Sequence, residues 1–122
     1  MKMEGSMEGS MEEQELSPYC ALYSRAAEII GRRWTGGVLR ALMAGRTRFG
    51  EIAGTVPGLS DRLLSERLKE LEDEGIVRRK VTACRPVRID YELTEMGHAL
   101  LPVVQSIAEW AEEWIALDAR TT

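Results

Sequence analysis

Two kinds of side chain in this sequence are equipped for chemistry. Cys20 and Cys84 can act as thiolate nucleophiles or redox groups. Sixteen basic residues, thirteen of them arginine, can hold phosphate and base edges, arginine through a planar, permanently charged fork. His98 is the only histidine and is expected on the exposed side of the last helix, without a partner for acid–base catalysis. Two cysteines so far apart and one histidine make no zinc spacing. There is no phosphate loop, dinucleotide fingerprint or nucleophile elbow. No catalytic residue, metal ligand or cofactor is therefore expected, and an enzyme is the least favoured class.

The basic residues matter through their distribution. The 122 residues carry 16 Lys plus Arg against 20 Asp plus Glu, a formal net charge of −4. Residues 1–18 hold Lys2 against five glutamates, which accounts for the whole excess. Between Arg25 and Arg88, 14 basic residues stand against 8 acidic ones, and from Asp90 onward seven acids stand against Arg120. A basic middle between acidic ends is what a phosphate-binding surface looks like, although such charge blocks also occur as plain solvated faces.

The length suits one domain with a modest core. Residues 1–16, in which Met-Glu-Gly-Ser is written twice, are an acidic low-complexity tail expected to be disordered. The folded domain is expected over 17–118. Ser17-Pro18 reads as an N-cap followed by the first helical residue of a helix that Gly31 ends. Trp34 to Ala44 is a second helix, in which Gly36-Gly37 suggests close packing of another helix. Phe49 to Val56 is a short third helix, ended by Pro57-Gly58. Ser60 caps a fourth that runs to Glu74, with Leu64, Leu68 and Leu71 as its buried stripe.

After Gly75 the apolar period changes from 3.6 to 2, predicting a hairpin over 76–93 with a short loop around Arg85. Thr94 caps a final helix over 95–117 that Pro102 divides or kinks, with Val103, Ile107, Trp110 and Trp114 as an apolar stripe. The fold class is mainly α with a small β-hairpin: a winged helix-turn-helix.

In such a motif the second helix of the pair enters the major groove. At 100° per residue from Leu64, Arg62 falls at about 160°, Lys69 at about 140° and Ser65 at about 100°, so all three face away from the core. Arginine suits guanine O6 and N7, and serine serves either role. Arg67, at about −60° from Leu64, lies near the core edge and reads as a packing or phosphate residue. The plainer alternative is a solvated face with i,i+4 ion pairs. The DNA reading is favoured by Lys80, Arg85 and Arg88 in the hairpin and by Arg46 and Arg48 before the third helix, with Ser60 at the start of the groove helix.

The residues also carry a family resemblance. Ile29-Ile30-Gly31-Arg32-Arg33-Trp34-Thr35, Leu39-Arg40-Ala41-Leu42, Arg48-Phe49-Gly50-Glu51-Ile52, the run Leu59 to Glu72, and Tyr91-Glu92-Leu93-Thr94-Glu95-Met96-Gly97 are similar to the HxlR-type bacterial transcription regulators. The likeness covers about residues 18 to 116. It implies a homodimer built from the first and last helices, which would use Tyr19, Leu22, Ile107, Trp110 and Trp114. The alternative for the tryptophan stripe is intramolecular core. The implied partner is double-stranded DNA carrying a pseudopalindromic operator.

Members of that family often carry a cysteine at the position of Cys20, and some use it to sense an electrophile or oxidant. A helix N-terminus at Ser17-Pro18 would favour its thiolate; the alternative is a small core residue. Departures from the family pattern are Ala21 after Cys20, where proline is commoner, and Cys84 in the wing.

Two other functions remain in play: control by a small apolar ligand in a dimer crevice, and a winged-helix module that holds a protein partner. No apolar run reaches the roughly 20 residues of a membrane span, and no secretory signal opens the chain, so a cytoplasmic protein with reduced thiols is expected.

Overall fold

The computed structural model describes residues 8–116, with side chains from residue 18 onward. The chain divides between Arg33 and Trp34 into two compact units.

The first unit is a single helix, α1 (Glu8–Gly31). It starts well before the expected cap, and Pro18 lies inside it. An interior proline removes one backbone hydrogen bond and crowds a carbonyl, which is why Ser17-Pro18 reads as a beginning. The residues upstream are mostly Glu, Met, Gln and Leu, all good helix formers, and the helix runs straight through. Residues 8–16 are thus helical where disorder was expected, and residues 1–7 of that tail lie outside the described residues.

The second unit contains α2 (Thr35–Met43), α3 (Phe49–Thr55), α4 (Asp61–Asp73), β1 (Val77–Thr82), β2 (Arg88–Leu93), α5 (Glu95–His98) and α6 (Leu101–Trp110). The last helix widens into a single π-helical turn, Ala111–Ile115. The core draws on every layer: Val38, Leu39 and Leu42 from α2, Ile52 from α3, Leu64, Leu68 and Leu71 from α4, and Ile76, Val77, Leu93 and Val104 beyond them. Each such side chain, fully buried, contributes about 1.5–3 kcal/mol. The stripe expected on α4 is this core face.

Local chemistry sets the ends. Ser60 accepts from the Leu63 N–H at 3.1 Å and starts α4. Gly75, with φ 84°, ends that segment in the left-handed region. Trp34 caps α2 rather than opening it, with φ 77°, a conformation that costs a bulky residue about 1–2 kcal/mol. A Cβ added at Gly37 would stand 3.2 Å from Val56, so the expected close approach occurs at this glycine, against the residue that follows α3.

The hairpin is antiparallel, in register from Val77 opposite Leu93 to Thr82 opposite Arg88. Thr94 closes its base. Its N–H donates to the Ile76 carbonyl at 3.0 Å, and its hydroxyl donates to the Gly75 carbonyl at 2.6 Å while accepting from the Gly97 N–H at 3.1 Å. The expected long final helix is broken at Ala99–Leu100. Pro102 lies in the first turn of α6, where its missing N–H has no intrahelical acceptor, so it begins a helix instead of kinking one.

Candidate nucleic-acid interface

Helix α4 packs its leucines inward and against β1, which leaves Arg62, Ser65 and Lys69 exposed on its outer face. Both cations are held by acids one turn on. Arg62 Nε lies 3.4 Å from Glu66 Oε2, and Lys69 Nζ lies 3.0 Å from Asp73 Oδ1. The hydrogen bond to Asp73 holds the Lys69 ammonium above its usual range. The Arg62–Glu66 pair is solvated on both sides and of a kind worth about 0–1 kcal/mol, so exchanging it for a DNA group costs little.

Arg67 is placed differently. Only 8% of it is exposed, and its Nη1 lies 3.2 and 3.4 Å from the two carboxylate oxygens of Glu70. Of the two roles open at the core edge, the packing role is the one this geometry serves.

The turn between α2 and α3 carries Arg46 and Arg48, both exposed. Glu51 accepts from the Thr47 and Arg48 N–H groups at 3.1 and 3.2 Å, closing the first turn of α3, and those two backbone bonds hold its carboxyl below the usual range. The turn is tied to the wing. The Tyr91 N–H donates to the Thr47 carbonyl at 2.8 Å, and the Thr47 hydroxyl donates to Asp90 Oδ1 at 3.0 Å. Arg88 Nε donates to the other Asp90 oxygen at 2.9 Å. The Arg88 hydrogen bond, with the Thr47 one behind it, holds the Asp90 carboxyl low in spite of its burial. Arg46, Arg48 and Arg88 are thereby brought to one region.

Lys80 stands opposite Asp90 in the hairpin register, 3.9 Å from Glu92, which also binds Arg78 at 3.0 Å. Arg85 is exposed in the loop between the strands. Sequence reasoning missed the roles of Thr47, Glu51 and Asp90, whereas the Arg62–Glu66 pair is the i,i+4 pairing that the solvated-face alternative expects. The acid three residues after Arg48 hints at a cap, but Thr47 and Asp90 are 43 residues apart and share no pattern.

Cys20 is exposed but lies deep inside α1, far from the helix start, so the N-terminal dipole argument for its thiolate fails; that field fades within the first turn. Cys84 is also a free, exposed thiol, its Sγ 3.2 Å from the Pro86 carbonyl. Tyr19 and Leu22 on α1 are 67% and 71% exposed; Ile107, Trp110 and Trp114 are 51%, 59% and 57% exposed. The tryptophan stripe is therefore not intramolecular core. His98 is exposed, as expected. Among the described residues no group of acids, cysteines and histidine could hold a metal ion, and no helix is long and apolar enough to cross a membrane.

Comparison with known proteins agrees with this geometry. The HxlR-like helix-turn-helix family profile matches residues 29–119. The chain is 48% identical over 99 residues to the uncharacterized HTH-type transcriptional regulator YvaP of Bacillus subtilis, covering 81% of this chain and 92% of that one. It is 43% identical over 95 residues to the transcriptional regulator YodB of the same organism, covering 78% and 85%.

Reduced YodB superposes with a TM-score of 0.68 at 44% identity, over 75% of this chain and 89% of that one. YodB has also been solved diamide-treated and quinone-bound. The redox regulator HypR in its reduced form superposes with a TM-score of 0.70 at 35% identity, over 75% and 90%, and has an oxidised form as well. These relatives are transcriptional regulators, not enzymes, and winged-helix folds. The chain belongs to the HxlR-like helix-turn-helix family of transcriptional regulators.

Proposed function

We propose that this protein acts as a homodimer on a pseudopalindromic DNA operator and releases it when Cys20 reacts with an electrophile or oxidant. The observation that carries the DNA reading is the outer face of α4, where Arg62, Ser65 and Lys69 stand free of the core. Arg62 reads guanine, Ser65 and Lys69 support it, and Ser60 anchors the helix start. Arg46, Arg48, Lys80, Arg85 and Arg88 bind phosphate; Arg67 positions α4 from beneath. The domain that does this spans about 17–118, with α1 and α6 as its dimerisation helices. Exposed Tyr19 and Leu22 on one, and Ile107, Trp110 and Trp114 on the other, support that assignment, since apolar faces of this size mark interaction surfaces.

The sensing part rests on likeness. YodB is known in reduced, diamide-treated and quinone-bound forms, and HypR in reduced and oxidised forms.

The test is binding to the DNA upstream of the protein's own gene, against random duplex, over a series of salt concentrations. Log affinity is expected to fall with log salt by about 0.9 per phosphate neutralised. Arg62→Ala is expected to cost about 1–3 kcal/mol and to relax specificity at one base pair. Equal affinity for operator and random DNA with no salt slope sinks the reading; loss of a protein partner in Arg62→Ala with DNA binding intact favours an interaction module.

A further inference from the structure

Asp90 is an acid in a surface that the proposed function assigns to phosphate, and it retains only 8% exposure there. Both its oxygens are engaged, one by the Thr47 hydroxyl at 3.0 Å and the other by Arg88 Nε at 2.9 Å. The Tyr91 N–H to Thr47 carbonyl bond at 2.8 Å runs beside them, so turn and wing are joined by backbone and side chain together. Thr47 stands between Arg46 and Arg48, and Glu51 fixes the N–H groups of Thr47 and Arg48 from the α3 side. The charge of Arg48 acts on Asp90, and those of Arg46 and Arg48 act on Glu51. Three arginines are thus gathered round two carboxylates whose hydrogen bonds fix the backbone between them.

We infer that Thr47 and Asp90 are positioning residues for DNA binding: their contact locks the wing to the helix-turn-helix so that Arg46, Arg48 and Arg88 meet the phosphate backbone as one preset surface. This rests on the DNA-binding reading above. A bare carboxylate at this place would repel phosphate. Neutralised by Arg88 and held by the Thr47 hydroxyl, it instead sets where the Arg88 guanidinium stands. Without the joint the wing swings independently of the turn, and each phosphate contact carries its own ordering cost. A contact that merely held the fold would leave the number of phosphate contacts unchanged once the protein was folded.

The experiment compares the full chain with Thr47→Val, which keeps shape and charge but removes the hydroxyl, and Thr47→Ser, which restores it. Binding to a random-sequence duplex is measured by anisotropy across a potassium chloride series, at a temperature where all three proteins are folded. Exchange of the Tyr91 amide is followed by NMR without DNA. Thr47→Val is expected to bind about three- to tenfold more weakly, with a log–log salt slope shallower by about one or two phosphate contacts, and to exchange the Tyr91 amide faster. Thr47→Ser is expected to match wild type in all three.

A Thr47→Val slope equal to wild type overturns the proposal, whatever happens to affinity or melting temperature. If the wild type binds no duplex, the regulator reading itself has failed and the positioning role falls with it. Tyr91 exchange that still quickens in Thr47→Val then identifies the contact as purely a fold contact.

Discussion

Arg67 reaches along α4 to Glu70, its Nη1 within 3.4 Å of both carboxylate oxygens, so a cation sits at the edge of the core on the helix assigned to the DNA groove. Its removal should be felt as instability and not as lost recognition. Arg67→Ala is expected to cost about 0.5–3 kcal/mol of folding free energy through the lost packing of a buried side chain, since Glu70 itself stays solvated. Denaturant melts paired with DNA titrations of the folded fraction check this; a steeper loss of operator affinity than of stability would return Arg67 to the contact set.

Gly97 sits where a side chain has no room. A Cβ there would press on the Ile76 carbonyl oxygen and stand 3.0 Å from Leu93 Cδ2, at the seam between α5 and the wing base. Gly97→Ala is expected to destabilise by about 1–3 kcal/mol or more. Gly54→Ala is the contrast, since nothing lies within 4 Å of its added Cβ in α3; it should stabilise by about 0.5–1 kcal/mol. Equal melting temperatures for the two variants would contradict the packing described.

Both outcomes bear on what the sequence disclosed. Helices α2 to α4 and the hairpin were legible because apolar periods, the Ser60 and Thr94 caps and the Gly75 stop are local signals. The Ser17-Pro18 start was misleading, because proline's preference for a first turn says nothing about whether good helix formers upstream carry the helix past it. The burial of Arg67 was half legible: the helical wheel put it at the core edge, and only the packing of α4 against β1 decides such an edge. The Thr47–Asp90 contact was invisible, since hydrogen bonds between distant segments leave no period to read.

Acid should weaken the fold through the carboxylates named above. Asp90 and Glu51 are both held below their usual range, by Arg88 and Thr47 in one case and by backbone N–H groups in the other. Their stabilisation is fully present above the unfolded values, near 4, and is lost as pH falls through the lower folded values. Melting temperature should therefore drop below about pH 4. In Asp90→Asn with Glu51→Gln that drop should be shallower; an identical acid limb would show that other groups carry it.

The two thiols are expected to divide by function. Both are exposed, so both should react with iodoacetamide. Cys20→Ser is expected to bind DNA normally and to ignore diamide and quinone, while Cys84→Ser still lets go on treatment. Release that persists in Cys20→Ser, or a wild type that never releases, ends the sensing proposal.

Trp110 tests the assembly. Changing it to Glu puts a charge in the apolar stripe of the last helix, and sedimentation at micromolar concentration should then find monomer where the proposed assembly predicts a wild-type dimer. Affinity for a two-half-site operator should fall far more than affinity for a single half-site. An unchanged dimer would move the interface elsewhere.

Thr94, through its bonds to Gly75, Ile76 and Gly97, staples both ends of the hairpin where it leaves the body of the domain. Beyond the buried Val77, Asp90 and Leu93, the exposed tip of the hairpin is free to vary in length without reaching the core. The span 83–87 is therefore a graftable module: in the proposed complex, lengthening, shortening or exchanging it should alter how far the protein reaches along a duplex while the groove helix keeps its seat. Divergence among paralogues, and deliberate retargeting, would be accommodated most cheaply there.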